Sequence, residues 1–171
     1  MIAWSLTITR LFAALSIPFL IGNYYIMFFY SIIAPLTDML DGFVARRLGS
    51  QSMAGALLDV VADKTFCYSF VFSSYFFLGF DSCLFLSILL IWILRDLILF
   101  SLYLFSKKPF KALIFGKIYA AFQFFLVFVV SLSQIFGNYS LINSFLYFSN
   151  FIFLSLGIVA IFNYFNYFYK K

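Results

Sequence analysis

Apolar residues run through this chain in six long stretches, and only short polar breaks separate one from the next. The stretches fall at 11–21, 24–44, 53–78, 83–105, 115–136 and 145–168, and residues 1–10 can extend the first. An α-helix needs about 20 apolar residues to cross the hydrocarbon core of a bilayer, and backbone polar groups inside that core must be satisfied within the segment. A chain of 171 residues is nearly exhausted by six such crossings. Its make-up agrees: 65% hydrophobic, 25% aromatic and 10% charged, with a mean hydropathy of +1.09. The expected fold is all-α, a polytopic membrane helix bundle with six transmembrane helices forming a single domain over 1–171. No soluble domain fits beside it, and the N-terminus lacks the short apolar run and small-residue site of a cleavable signal. Two cysteines, Cys67 and Cys83, give no disulfide framework.

Charge placement orients the bundle. Arg10, Arg46, Arg47, Lys107, Lys108, Lys111, Lys117, Lys170 and Lys171 gather at one set of helix ends, while the breaks at 22–23, 79–81 and 137–143 hold no Lys or Arg. The positive-inside rule then puts both termini in the cytoplasm. Topology accounts for most of the net charge of +5. The same charges favour anionic lipid and anionic substrates.

Against this background the acidic residues stand out. Four of the six lie between Asp38 and Asp63, and there is no Glu and no His. The spacing is D-x2-D-G-x2-A-R-x8-G-x3-D-x3-D, filled by Asp38, Asp41, Gly42, Ala45, Arg46, Gly55, Asp59 and Asp63. On helices, Asp38 and Asp41 share one face, and Gly55, Asp59 and Asp63 share another. The polar break at 46–52 makes the two helices antiparallel neighbours, which turns the acidic faces together near the loop end. Four ionised carboxylates at close range repel unless cations intervene. Oxygen-only ligands select Mg2+, Mn2+ or Ca2+ over zinc. Gly42, Ala45 and Gly55 leave room for a bulky ligand, and Arg46 offers a planar cation for phosphate oxygens. Metals, an arginine and a cleft of small residues suit a diphosphate.

On these residues the chain resembles the CDP-alcohol phosphotransferase family, integral membrane enzymes of phospholipid synthesis, whose signature it matches at every fixed position. Leu6-Thr7-x2-Arg10 with Pro18, Thr37-Asp38-Met39-Leu40-Asp41-Gly42, Leu58-Asp59-x2-Ala62-Asp63-Lys64, Arg95-Asp96, and Gly116-Lys117 with Gln123 are similar to segments of its phosphatidylglycerophosphate synthases. Two positions depart from that pattern: Val60 stands where the family usually has Pro, and Arg95-Asp96 stands for Arg-Glu. The resemblance implies transfer of a phosphatidyl group from CDP-diacylglycerol to a small alcohol, with release of CMP. It implies Mg2+ or Mn2+ held by Asp38, Asp41, Asp59 and Asp63, with Asp63 as the catalytic base. It further implies CDP bound at Gly42, Ala45, Arg46 and Gly55, and a homodimer. Nucleic acid is not an expected partner. The expected location is a bacterial cytoplasmic membrane, with the site facing the cytoplasm.

Arg95 sits about ten residues from the cytoplasmic end of its stretch, ~15 Å along a helix. An intramembrane arginine needs a partner or a polar cavity. One reading is a salt bridge to Asp96 or to the acidic cluster. The other is an anchor, helped by Lys117, for the phosphate of a phosphorylated acceptor. The second favours glycerol 3-phosphate, with phosphatidylglycerol (cardiolipin synthesis), serine and inositol phosphate as alternatives. A divalent-cation transporter and an inactive membrane scaffold are the alternatives outside the family. Cation passage has no use for Arg46, and a scaffold has no use for Asp63.

Overall fold

The computed structural model describes residues 2–20, 22–48, 53–77, 82–106, 113–137 and 139–169, with the side chains of 2–10, 38–59, 77, 82 and 139–141 outside the description. Within it the chain forms six helices: α1 (Ile2–Leu20), α2 (Tyr24–Leu48), α3 (Met53–Phe77), α4 (Ser82–Phe105), α5 (Ile114–Phe136) and α6 (Tyr139–Tyr169). No strand occurs among the described residues. The six apolar stretches thus became six helices, and the all-α expectation holds. Three contain segments long and apolar enough to cross a membrane by length and composition: Cys83–Phe105, Ile114–Phe136 and Ile142–Tyr169. Leu11–Leu20 and Tyr24–Thr37 are shorter apolar segments. The chain is an integral membrane protein.

Two boundaries differ from expectation. Helix α1 takes in residues 2–10, as the sequence allowed, but α2 runs past 44 to Leu48 and takes in Arg46 and Arg47 from the expected break at 46–52. Helix α6 begins at Tyr139, inside the expected break at 137–143. Gly137 alone ends α5, in the left-handed conformation at φ 66° that favours glycine. Both α1 and α2 continue through an internal proline, Pro18 and Pro35. Helix α3 is likewise unbroken at Val60.

Around the bundle the neighbours run α1, α2, α5, α6, α4, α3 and back to α1, with α3 also meeting α5 across the middle. The shared core is aromatic and aliphatic: Phe66 and Phe70 from α3, Phe85, Ile88 and Trp92 from α4, Leu126 and Val130 from α5, and Phe153 from α6. Outward faces carry large exposed apolar side chains such as Phe19, Phe105, Phe136 and Phe151, as a lipid-facing surface requires. Hydroxyls in the helices bond back to carbonyls three or four residues earlier, as Ser31 does to Phe28 at 2.7 Å and Ser131 to Val127 at 2.8 Å. One interhelical polar tie joins α4 and α6: Ser87 Oγ donates to Asn150 Oδ1 at 2.9 Å, and Asn150 Nδ2 donates back to the Leu84 carbonyl at 3.4 Å.

The start of α5 is tied to α6. The N–H of Leu113, at the head of α5, donates to Tyr164 Oη at 3.1 Å. Leu113 makes no side-chain cap of its own, so the phenol from α6 supplies the missing acceptor. Glycine at 116 makes this possible, since a Cβ there would lie 2.7 Å from Tyr164 Oη. We therefore expect Gly116→Ala to cost about 1–2 kcal/mol, within the range for overpacking and a lost hydrogen bond. Gly116→Ala and Tyr164→Phe should be non-additive, because either one breaks the same contact. Thermal unfolding of the two single variants and the double variant in detergent measures it; simple additivity would refute the shared contact.

Candidate active site

Helical backbone carries every residue of the acidic motif. Asp38, Asp41, Gly42, Ala45 and Arg46 ride on α2, and Gly55, Asp59 and Asp63 on α3. On helical backbone, intervals of three and four residues give Asp38 and Asp41, and Asp59 and Asp63, face-sharing register positions. The side chains of Asp38, Asp41, Gly42, Ala45, Arg46, Gly55 and Asp59 lie outside the described residues, as does the turn at 49–52. The expected meeting of α2 and α3 at the loop end falls there too. In the described portions both helices pack against α1 and against α5. Asp63 is described: it is half-buried, one turn before the buried Cys67. The donor set, carboxylate oxygens on two helices, fits a hard divalent cation such as Mg2+ or Mn2+.

Beside Asp63 the structure builds a polar cluster where α3, α4 and α5 meet. Its centre is Asp96 on α4. Lys64 Nζ donates to Asp96 Oδ2. Tyr68 Oη donates to the same oxygen at 2.5 Å. Arg95 Nη1 donates to Oδ1 at 2.6 Å. One carboxylate thus takes three donors, and both cations sit where an apolar bundle would otherwise expose them to hydrocarbon. Lys64 and Tyr68 are four residues apart, so one face of α3 presents both.

Arg95 is pinned a second way. Its guanidinium carbon lies 4.4 Å from the ring centroid of Tyr119 on α5. A cation over an aromatic face in a desolvated site contributes about 2 kcal/mol. Aromatic rings frame the cluster: Trp92 meets Phe153 edge-on at 5.2 Å, Tyr119 meets Phe153 at 5.4 Å, and Tyr68 lies 6.0 Å from Trp92. Gly157 on α6 completes the wall. A Cβ there would sit 3.6 Å from Tyr119 Cε2 and 3.8 Å from Arg95 Cγ, an ordinary contact, so α6 closes against both residues without a side chain between.

Arg95 is therefore in the salt bridge that one sequence reading named, with Asp96 as partner. It is 8% exposed, and its Nε has no acceptor among the described residues. The salt bridge leaves part of the guanidinium unspent. Lys117 is exposed and lies two positions from Tyr119, ~200° around α5. The structure places it on a different face from the ring that holds Arg95. The sequence reading gave Lys64, Tyr68 and Tyr119 no role. Lys64 carried a usable signal, because an intramembrane lysine needs a partner just as Arg95 does. Tyr119 carried none; it is one of 12 tyrosines, and only packing singles it out.

Comparison with known proteins adds a second line of evidence. A family model described as CDP-alcohol phosphatidyltransferase matches residues 1–162. The chain is similar to the CDP-diacylglycerol–glycerol-3-phosphate 3-phosphatidyltransferase of Wigglesworthia glossinidia brevipalpis, 46% identical over 66 residues, covering 34% of this chain and 36% of that protein. Proteins of the same name from Salmonella choleraesuis (strain SC-B67) and Escherichia coli (strain K12) are 41% and 38% identical over 66 residues, with the same coverage. The chain thus spans about a third of the length of the curated relatives it matches. No solved structure matches.

Proposed function

We propose, because this chain belongs to the CDP-alcohol phosphatidyltransferase family, that it transfers a phosphatidyl group from CDP-diacylglycerol to glycerol 3-phosphate. In that reaction an acceptor hydroxyl oxygen forms a new bond to the phosphatidyl phosphorus, the diphosphate bond breaks, and CMP leaves. The named activity of the relatives supports this reading. The observation that carries the choice of acceptor is Arg95: a buried guanidinium that neither Asp96 nor Tyr119 uses up.

The roles follow from the residues. Asp38, Asp41, Asp59 and Asp63 would hold Mg2+ or Mn2+. Bound there, the metal would neutralise the diphosphate and stabilise charge on departing CMP. Gly42, Ala45 and Gly55 would admit the cytidine and its phosphates, and Arg46 would pair with a phosphate. Asp63, half-buried on α3, takes the proton from the attacking hydroxyl. Arg95 holds the acceptor phosphate, with Lys117 steering the anion toward the bundle from its exposed position on α5. Asp96 neutralises Lys64, so that one positive charge of the Lys64–Arg95–Asp96 group is left to attract the acceptor. The topology proposed is six crossings with both termini and the site on the cytoplasmic side of a bacterial cytoplasmic membrane, acting as a homodimer.

An acceptor screen tests the reading. Purified protein in detergent is given CDP-diacylglycerol, Mg2+ or Mn2+, and in turn glycerol 3-phosphate, phosphatidylglycerol, serine, inositol and inositol phosphate, with CMP release followed. We expect turnover with glycerol 3-phosphate, its loss with EDTA, and recovery on adding Mg2+ or Mn2+. Arg95→Ala should raise KM for glycerol 3-phosphate by at least about tenfold, the loss expected when a charged hydrogen-bond partner is removed. Turnover with phosphatidylglycerol instead would assign cardiolipin synthesis. Unchanged kinetics in Arg95→Ala would return Arg95 to a structural role. Mn2+ flux into liposomes without nucleotide would favour a transporter.

A further inference from the structure

Arg95 spends Nη1 on Asp96 and lays its plane on Tyr119, yet its Nε–H has no acceptor among the described residues. It is not alone. Tyr119 Oη and Gln123 Nε2, on the helix that carries the ring against Arg95, are also buried without partners among the described residues. Tyr119 is 0% and Gln123 3% exposed. The two are four residues apart on α5, so they share the face that Arg95 meets. Trp92 Nε1, one turn from Arg95 on α4, is a further buried donor without a partner among the described residues.

Every one of these groups can donate. Gln134, farther along α5, contrasts with them: it leaves both its Nε2 donor and its Oε1 acceptor unpartnered. Buried polar groups are nearly always bonded in a working protein. Three buried donors, each within one helical turn of Arg95 or of the ring it meets, beside a guanidinium that carries excess positive charge call for a ligand rich in acceptor oxygens. A tetrahedral phosphate has that character.

We propose that Tyr119 and Gln123 complete the acceptor subsite with Arg95, donating hydrogen bonds to the phosphate oxygens of a phosphorylated polyol. This rests on reading Arg95 as the anchor of the acceptor phosphate. The two residues set specificity. A neutral alcohol gives these donors no oxyanion, and leaves them buried and unpaired when it binds. The cation–π contact gives Tyr119 a second task, since the ring that orients Arg95 also aims a hydroxyl at the ligand.

Two variants test it. Tyr119→Phe removes one oxygen and keeps the ring under Arg95; Gln123→Glu keeps the shape and replaces a donor with an anion. Steady-state CMP release is measured against glycerol 3-phosphate and against CDP-diacylglycerol, with inorganic phosphate as competitive inhibitor and thermal unfolding as control. We expect Tyr119→Phe to raise KM for glycerol 3-phosphate about tenfold, which is about 1.4 kcal/mol, and Gln123→Glu to raise it about a hundredfold or more. The inhibition constant of inorganic phosphate should rise in parallel, while KM for CDP-diacylglycerol and the melting temperature stay near wild type. An unchanged KM for glycerol 3-phosphate in either variant overturns the proposal. So does an equal shift in KM for CDP-diacylglycerol, or a fall in melting temperature that accounts for the loss. If wild-type protein turns over a different acceptor and not glycerol 3-phosphate, the acceptor assignment itself fails, a result distinct from unchanged kinetics in the variants.

Discussion

Under the proposed reaction, Asp63→Asn will slow CMP release by about 10²–10⁴-fold while the protein goes on binding CDP-diacylglycerol. The side chain keeps its shape and its place on α3, half-buried one turn before Cys67. What it loses is the ability to take a proton, together with one of four carboxylates at the metal, while Asp38, Asp41 and Asp59 remain to hold the cation and the diphosphate. General-base catalysis contributes about 10²–10⁴-fold, so the turnover number should fall by that much with glycerol 3-phosphate at saturation. A role confined to metal binding makes a different pattern. Asp59→Asn should then serve as the comparison, losing metal-dependent binding of CDP-diacylglycerol along with turnover. Binding of labelled CDP-diacylglycerol at fixed Mg2+ separates the two. Turnover at the wild-type rate in Asp63→Asn would remove Asp63 as base.

Asp96→Ala comes second in size, and its effect falls on the fold as well as the site. Lys64, Tyr68 and Arg95 all donate to this one carboxylate. Removing it leaves two like charges facing each other in an apolar bundle. Breaking a buried pair from one side costs about 3–5 kcal/mol. The side chains of Lys64 and Asp96 are 28% and 19% exposed, so the lower end, about 3 kcal/mol, is expected. The measurement is thermal unfolding in detergent. Lys64→Met combined with Asp96→Leu should recover only part of the loss, because the Lys64–Arg95 repulsion is gone while Arg95 stays buried without its carboxylate. An Asp96→Ala protein as stable as wild type would show that the cluster does not tie α3 to α4.

Much of this protein is legible without coordinates. Apolar runs of helical length leave little freedom in a bilayer, where backbone groups must be satisfied within each segment. Six stretches therefore became six helices. Helix ends were less legible: Gly137 stops α5 alone, and nothing in the next few residues delays α6. Spacing placed Asp59 and Asp63 on one helix face, since intervals of three and four follow from local geometry alone.

Partnerships between helices are a different matter. From the sequence Arg95 needed a partner, but the pairing of Lys64 on α3 with Asp96 on α4, 32 residues later, depends on which helices touch. The sequence likewise marked Lys117 as a helper for Arg95, whereas packing presents Tyr119 to the guanidinium and leaves Lys117 exposed on another face. Chain order alone thus determined the helices, the acidic motif and the family. Tertiary structure decided which charges pair and which donors stay unspent around Arg95. The physical reason is range: helical periodicity is a property of neighbouring residues, while ion pairing and cation–π contact require side chains from separate helices to meet within a few ångströms.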